Sequence, residues 1–300
     1  MTPELSVVIV SYECRDALLA VLGDLVDARS HLSLEVFVVD NASADGTVEA
    51  VRKCHPWVEV EGLAENVGFG RANNLAIRRA RAETVLLLNP DTRVTHRALR
   101  QSVNELRRSS SVGILSPRVI GGDGRFERNC KRGFPTVWGT FCFVIGLDRW
   151  LRDRRSQRYT LGWLPEDRPA DVEAVSGAVM FCRADALQAV GGFDQRFFMY
   201  GEDLDLCLRI AKAGWRTRYW PCVTVTHVGG QSGTSQRSRR AWAQSIGDLH
   251  RIHRPGIRGR FAGAICDLAG RTLCAVVGVV EISRRLHVGD TEPGAVPPDF

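Results

Sequence analysis

Three apolar runs in this 300-residue chain each end in a cluster of acidic and amide side chains, and this limits how the chain can fold. Val36–Val39 runs into Asp40-Asn41-Ala42-Ser43, Val85–Leu88 into Asn89-Pro90-Asp91-Thr92, and Phe197–Tyr200 into Gly201-Glu202-Asp203-Leu204-Asp205. Short uninterrupted apolar runs read as strands covered on both faces. In an open α/β sheet, ligands bind at the carboxyl ends of the strands. Three carboxylate clusters delivered to one edge can hold a hard cation, a polar ligand and a general base, which suits chemistry on a phosphorylated, hydroxyl-rich substrate.

Alternating strands and helices surround these runs. Ser6–Ser11 is a continuous β-rich segment, and Ala17, Leu18, Val21, Leu22, Leu25 and Val26 follow at helical spacing. Asp45-Gly46-Thr47 opens a short helix, Val58–Leu63 reads as a third strand, and Gly68–Arg81 reads as a glycine loop and a helix with Ala72, Leu75, Ala76 and Ala80 inward. Thr95 is the expected N-cap of a helix bearing Leu99, Val103 and Leu106. Such alternation implies right-handed βαβ units, a mostly parallel sheet and an α/β fold. The character changes at Gly121-Gly122-Asp123-Gly124, after which a basic, aromatic stretch runs to about Arg168. Asp171–Arg183 then reads as a strand around Ser176-Gly177-Ala178, residues 203–213 as a helix with Leu204, Cys207, Leu208 and Ala211 on one face, and Arg218–Thr226 as a last strand ending at His227. The chain divides into a first half, 1–120, a second half, 121–230, and a basic, helical tail, 231–300.

Each acidic cluster has a chemical reading beside a plainer one. Asp40, just after a buried strand, can accept hydrogen bonds from a ribose or a base, with Asn41, Ser43 and Asp45 in the same turn; Ser43 or Asp45 can equally cap the next helix. Pro90 stops strand pairing and turns the chain out, presenting Asp91 to a cleft where Mg²⁺ or Mn²⁺ takes carboxylates plus substrate phosphates. Glu65-Asn66-Val67-Gly68-Phe69-Gly70-Arg71-Ala72-Asn73-Asn74 is a glycine loop whose amides can face an anion or sugar hydroxyls, but it lacks the third glycine of a dinucleotide fingerprint. Glu202 and Asp203 stand at a helix start, where the dipole favours ionised carboxylates; Asp203 is the candidate general base and Glu202 the alternative. His227 suits a metal ligand or a diphosphate contact, whereas His250 and His253 read as surface residues.

Composition bounds the setting. The 44% hydrophobic and 25% charged content fits a globular protein with a substantial core. The net charge of +6 is uneven, with Arg237, Arg239, Arg240, Arg251, Arg254, Arg258 and Arg260 after the last expected strand, a cluster suited to an anionic partner. Nine cysteines without a Cys-x-x-Cys pair, and no signal peptide, point to reduced thiols in the cytoplasm. No run reaches the ~18 apolar residues of a transmembrane helix; Phe261–Ile282 comes nearest and is interrupted by Asp267 and Arg271.

In this order, the segments resemble the family 2 inverting glycosyltransferases, nearest to their rhamnosyltransferase-like branch. The matching pieces are Ser6-Val7-Val8-Ile9-Val10-Ser11-Tyr12, Val38-Val39-Asp40-Asn41-Ala42-Ser43-Ala44-Asp45-Gly46-Thr47, Asn66-Val67-Gly68-Phe69-Gly70 with Asn73-Asn74, Leu88-Asn89-Pro90-Asp91, and Gly192-Phe193-Asp194 running into Glu202-Asp203-Leu204-Asp205. They span about residues 5–230, and five modest motifs in register are specific together. The resemblance implies a GT-A fold with a Rossmann-like sheet, a nucleotide-sugar donor, a divalent metal (Mn²⁺ or Mg²⁺) and a glycan or polyprenyl-diphosphate-linked acceptor in bacterial surface-polysaccharide synthesis. It implies that Ser11, Tyr12, Asp40, Asn41, Ser43, Asn66, Gly68, Asn73 and Asn89 line the donor, that Asp91 binds metal with His227 near it, and that Asp203 is the base. One departure is that the first position of the family's Asp-x-Asp metal motif is Asn89, which coordinates only through an uncharged carbonyl.

Two regions bear on the acceptor. Trp138, Phe141, Phe143, Trp150 and Trp163 suit stacking on sugar rings, contact with a lipid chain, or plain core packing. The tail suits an interfacial helix on the inner membrane face, an ordinary docking helix or a homodimer contact. Nucleic acid is not expected as a partner. A catalytically silent sugar-nucleotide-binding scaffold would not need the acidic trio, and a metal-dependent nucleotidyltransferase would carry Lys and Gly in Ser11–Ala17, where there are none.

Overall fold

The computed structural model describes residues 2–229, 236–254, 256–257 and 259–265. Residues 1–230 and 231–300 are two compact units.

The first unit opens with β1 (Leu5–Ser11), buried along its whole length, then α1 (Arg15–Arg29), β2 (Leu34–Asp40), α2 (Thr47–Cys54), β3 (Glu59–Gly62), α3 (Phe69–Ile77), β4 (Thr84–Leu88), β5 (Thr92–Arg93) and α4 (His96–Arg108). There follow β6 (Val112–Gly121), β7 (Lys131–Arg132), α5 (Val137–Val144), β8 (Ala170–Val172), β9 (Ala174–Val175), β10 (Val179–Arg183), α6 (Ala184–Val190), α7 (Glu202–Lys212) and β11 (Arg216–His227). Among the described residues, nine strands form one sheet in the order β3-β2-β1-β4-β10-β6-β11-β5, with β8 paired to β11. β1 is parallel to β2 and β4, and β6 is parallel to β11, while β10 runs antiparallel between β4 and β6.

Apolar patterning explains this half of the molecule. Val7, Val8 and Ile9 are buried on both faces of a central strand, and α1 turns Leu18, Val21, Leu22 and Leu25 onto the sheet. α4 begins where expected: the Thr95 hydroxyl accepts the Ala98 amide at 3.2 Å, and Leu99, Val103 and Leu106 are buried. Each such core leucine contributes about 2 kcal/mol of burial.

Two expectations are corrected. Phe197–Tyr200 is not a strand; it is irregular backbone with Tyr200 in the left-handed region (φ +69°), and it feeds the first turn of α7. The segment Asp171–Arg183 is not one strand; the ladder breaks at Ser176-Gly177-Ala178, because those backbone groups bind the loops of the site instead. On α7, Leu204, Leu206, Cys207 and Ile210 are buried, while Ala211 is exposed.

The second unit contains α8 (Gln236–His253). His250 lies buried on it, not at the surface, and burial pushes its imidazole down to about 4, so it is neutral. Of Phe261–Ile282, residues 261–265 are helical and the remainder, with Asp267 and Arg271, lies outside the described residues. Among the described residues no helix is long and apolar enough to cross a membrane.

Candidate active site

The topology brings the acidic turns to one edge of the sheet. β1, β2 and β4 are parallel, so Ser11, Asp40 and Asn89 emerge together. β10 is antiparallel to β4 with Val179 opposite Leu88, so Gly177 and Ala178 begin where β4 ends. His227 ends β11 opposite Thr92. Glu13 (φ +49°), Ala42 (φ +66°) and Tyr200 (φ +69°) hold left-handed backbone in three loops at this site. Each such non-glycine conformation costs about 1–2 kcal/mol, a strain characteristic of functional loops.

On the first side, Asp40 is the hub. Its Oδ2 accepts the Ser11 hydroxyl at 2.8 Å and the Ser43 hydroxyl at 2.7 Å, and its Oδ1 accepts the Ser43 amide at 2.8 Å. With 1% exposure, it holds the turn together from inside. Asp45 accepts the Thr47 amide at 3.1 Å at the start of α2. Tyr12 stands exposed beside this turn. The Cys14 thiol is pushed up to about 11, first by burial and then by the charges of Asp45, Asp91 and Asp40, so these carboxylates face one region.

The glycine loop is used differently from the expectation. The Val67 amide donates to Asn41 Oδ1 (2.9 Å), the Gly68 amide to Asn66 Oδ1 (3.0 Å) and the Phe69 amide to the Phe198 carbonyl (2.9 Å), so these three amides are spent internally and do not cradle an anion. Gly68, at φ +88°, has no room for a side chain: a Cβ would sit 2.6 Å from the Phe198 carbonyl oxygen. Asn73 is buried and donates to the Phe69 carbonyl at 3.0 Å. Asn74 exchanges two hydrogen bonds with the Phe193 backbone (2.8 and 2.9 Å). The motif joins α3 to the loop ahead of α7.

That loop delivers Glu202 and Asp203. Asp203 Oδ2 accepts from the Arg132 guanidinium and from the Gly177 amide (2.9 Å), and Oδ1 accepts the Leu204 amide (2.7 Å). A carboxylate has about four acceptor sites, so one remains for an external hydroxyl. Glu202 is different: burial, and then the charge of Asp203, push its carboxyl up to about 8, so it is largely protonated at pH 7. Asp205 is fully buried and accepts from Arg209 Nε (2.7 Å), whose guanidinium reaches the Val190 and Gly192 carbonyls; its role is structural.

The third side holds Asp91 and His227. The Ala178 carbonyl accepts the Asn89 amide (2.9 Å), while the adjacent Gly177 amide holds Asp203, so one dipeptide ties both acidic loops. His227 Nε2 lies 3.1 Å from Asp91 Oδ1, and its Nδ1 lies 2.8 Å from Glu127 Oε1. Burial pulls this imidazole down, but the two carboxylates outweigh it and hold it up at about 10, so without a cation Nε2 carries a proton that a metal has to displace before the nitrogen can ligate. The arrangement fits a divalent cation: a carboxylate and an imidazole nitrogen face each other, a second carboxylate orients the far ring nitrogen, and the Asn89 Oδ1 is buried without a hydrogen-bond partner. Gly229 leaves both side chains accessible, since a Cβ there would fall 2.7 Å from His227 Nε2 and 2.9 Å from Asp91 Oδ2.

Residues 3–251 match the family model described as Glycosyltransferase like family 2. The chain belongs to this family. Among curated relatives, this glycosyltransferase is 31% identical over 242 residues to the N-acetylglucosaminyl-diphospho-decaprenol L-rhamnosyltransferase of Mycobacterium tuberculosis (strain H37Rv), covering 76% of each chain. It is 26% identical to rhamnosyltransferase WbbL of Escherichia coli K12 over 76% of this chain and 85% of the relative. It is 46% identical over 199 residues to the pre-mycofactocin glycosyltransferase of M. tuberculosis, covering 65% of this chain but 37% of that protein. In fold it is similar to the mannosyltransferase PcManGT from Pyrobaculum calidifontis in complex with GDP-Man and Mn²⁺ (TM-score 0.59, 20% identity, 96% of this chain and 80% of that one). The glycosyltransferase is therefore an enzyme with a GT-A-like, mostly parallel sheet, rhamnosyltransferase-like in sequence.

Sequence reasoning missed two side chains, Arg132 and Glu127. Both lie in the basic, aromatic stretch, without periodicity or a motif; only the pairing of β7 with β9 (Arg132 opposite Ala174) places Arg132 at Asp203.

Proposed function

We propose that this glycosyltransferase carries a sugar, with inversion, from a nucleotide-sugar donor to a polyprenyl-diphosphate-linked glycan on the cytoplasmic side of a bacterial membrane, during surface-polysaccharide synthesis. Rhamnose from dTDP-rhamnose is the preferred donor. The observation that carries the reading is Asp203, which accepts from the Arg132 guanidinium and two backbone amides yet retains an acceptor site, in a loop tied through Gly177–Ala178 to Asn89 at the start of the Asp91 turn. The rhamnosyl and lipid-linked particulars rest on the relatives named rhamnosyltransferases.

Asp203 takes the proton of the acceptor hydroxyl as its oxygen attacks the anomeric carbon opposite the diphosphate. Glu202, neutral beside it, does not compete for that proton. On the donor side, Tyr12 offers a ring for a base to stack on, and Asp40 with Ser11, Asn41 and Ser43 shapes the nucleoside turn. Asn66, Gly68 and Asn73 act by fixing that wall against the Phe193–Phe198 loop. Asp91 and His227 Nε2, with the unpartnered Asn89 Oδ1 from the same turn as Asp91, are the ligands proposed for Mn²⁺ or Mg²⁺. A bound cation offsets charge on the departing phosphate. Fixed orientation of acceptor against donor contributes the rest.

A second acceptor class follows from the relative at 46% identity, named a pre-mycofactocin glycosyltransferase: a pre-mycofactocin acceptor. Thermal shift against a panel of nucleotide sugars, with and without Mn²⁺, followed by transfer assays with a lipid-linked and a pre-mycofactocin acceptor, separates the two. Asp203→Asn is expected to lower transfer about 10²–10⁴-fold while donor binding by calorimetry is kept; equal turnover in both proteins removes Asp203 as the base.

A further inference from the structure

α5 is turned inside out for a surface helix. Its small residues Gly139, Thr140 and Cys142 are buried, while Trp138 (49% exposed), Phe141 (44%) and Ile145 at its end (49%) face solvent. Their spacing of three and four residues puts all three on one stripe, and the Trp138 and Phe141 rings stack at 5.7 Å. After a short turn, Trp150 is 84% exposed and Leu151 is exposed beside it. Exposed large apolar side chains clustered in this way mark an interaction surface.

The same segment is cationic. Arg149, Arg152, Arg154 and Arg155 are all exposed, against one exposed acid, Asp153, whose Oδ1 is occupied by the amides of Arg155 and Ser156; Asp148 is buried and paired with Arg128. Trp138 and Trp163, with Arg154, Arg155 and Arg158, line an open cavity of about 600 Å³. None of the donor-side residues lines it.

We propose that this face, residues 138–158, is a membrane-docking surface for anionic phospholipid. Indole and phenyl rings suit the headgroup–acyl boundary, and arginines beside them suit anionic headgroups, one of which the arginine-lined cavity can admit. A second copy of the chain is a poor occupant, because a two-fold contact sets these arginines against their own counterparts. The inner side of the surface leads to the site: Phe143 packs on Tyr159 (4.8 Å), Tyr159 contacts Arg132 Nη1 (3.4 Å), and Arg132 holds Asp203. The proposal does not depend on the acceptor, and vesicle binding is read without donor or acceptor.

The test is co-sedimentation of the full-length protein with vesicles of 3:1 phosphatidylcholine:phosphatidylglycerol, and with phosphatidylcholine alone. The expected result is binding to the anionic vesicles that weakens in 0.5 M salt. Arg154→Gln/Arg155→Gln should lower partitioning roughly 30-fold, at about fivefold per arginine. Trp150→Ser should lower it by several-fold at any salt, and the tail pair Arg240→Gln/Arg260→Gln should change it less than twofold. Unchanged donor hydrolysis by each variant verifies its fold. The proposal is overturned if the wild type ignores anionic vesicles, if the surface variants bind as it does, or if the tail pair carries the loss. It is also overturned if light scattering finds a dimer that the Trp150→Ser variant abolishes.

Discussion

Replacing Glu202 with Gln should make this enzyme more stable at neutral pH, by an amount that grows with pH. Glu202 is buried against Asp203, with its Oε2 lacking a hydrogen-bond partner. Burial, and then the Asp203 charge, raise its carboxyl from an ordinary 4.5 to about 8. Because the folded state binds this proton more tightly than the unfolded chain, the folded state is favoured fully below about 4.5. It loses that advantage as pH rises, at ~1.4 kcal/mol per pH unit, until the loss levels off near 8. From pH 5 to pH 7 the wild type should therefore lose about 3 kcal/mol relative to Glu202→Gln, a large part of a typical domain's stability. Urea unfolding of both proteins at pH 5, 6, 7 and 8 measures the difference directly, with unchanged slopes as a check that both unfold in the same way. A gap that stays flat across that range refutes the account of Glu202 as a buried neutral acid, and with it the assignment of base duty to Asp203 alone. Transfer activity retained in Glu202→Gln and lost in Asp203→Asn is the matching kinetic expectation.

Other consequences are equally measurable. Glu127→Gln should weaken Mn²⁺ binding about 10–100-fold by calorimetry, since Glu127 orients His227 from the far side of the ring; unchanged affinity removes His227 from the ligand set. Gly192→Ala forces a non-glycine residue to φ +74° and drives its Cβ into Asn74 Oδ1, so a loss of about 2–3 kcal/mol is expected in denaturant titration, and a loss under 0.5 kcal/mol contradicts the Asn74–Phe193 join. Thr95→Ala should cost about 1 kcal/mol through the lost cap of α4, and a thermal midpoint equal to wild type would falsify that cap.

The fold was legible wherever burial alone decides structure. β1, β2 and β4 are short β-rich runs closed on both faces, and adjacent places in the sheet hide Val7, Val38 and Leu87 from water. α4 was legible for a local reason, a hydroxyl three residues ahead of the amide it caps. Reading failed where residues satisfy partners far away in the chain. Phe197–Tyr200 has a strand's composition, yet its backbone is bent to give Phe198's carbonyl to Phe69. Ser176–Ala178 continues an apolar run, but its amide and carbonyl are drawn off by Asp203 and Asn89.

The site divides in the same way, and the division has a physical basis. Carboxylates at strand ends can be recognised because the strand itself fixes their position, so Asp40 and Asp91 follow from β2 and β4. What tunes a carboxylate is the charge opposite it, and that charge is unconstrained by sequence spacing. Arg132 lies 71 residues from Asp203 and Glu127 lies 100 from His227. Glu202 and Asp203 are adjacent and chemically alike, and the N-terminal dipole of α7 favours ionising both. The guanidinium reaches Asp203 Oδ2 while Glu202 Oε2 is left without a partner, and that asymmetry separates the proposed base from a neighbour that burial pushes toward its neutral form. What distinguishes the two neighbouring acids is therefore a residue from the second half of the unit, delivered by a two-residue strand with no signature of its own.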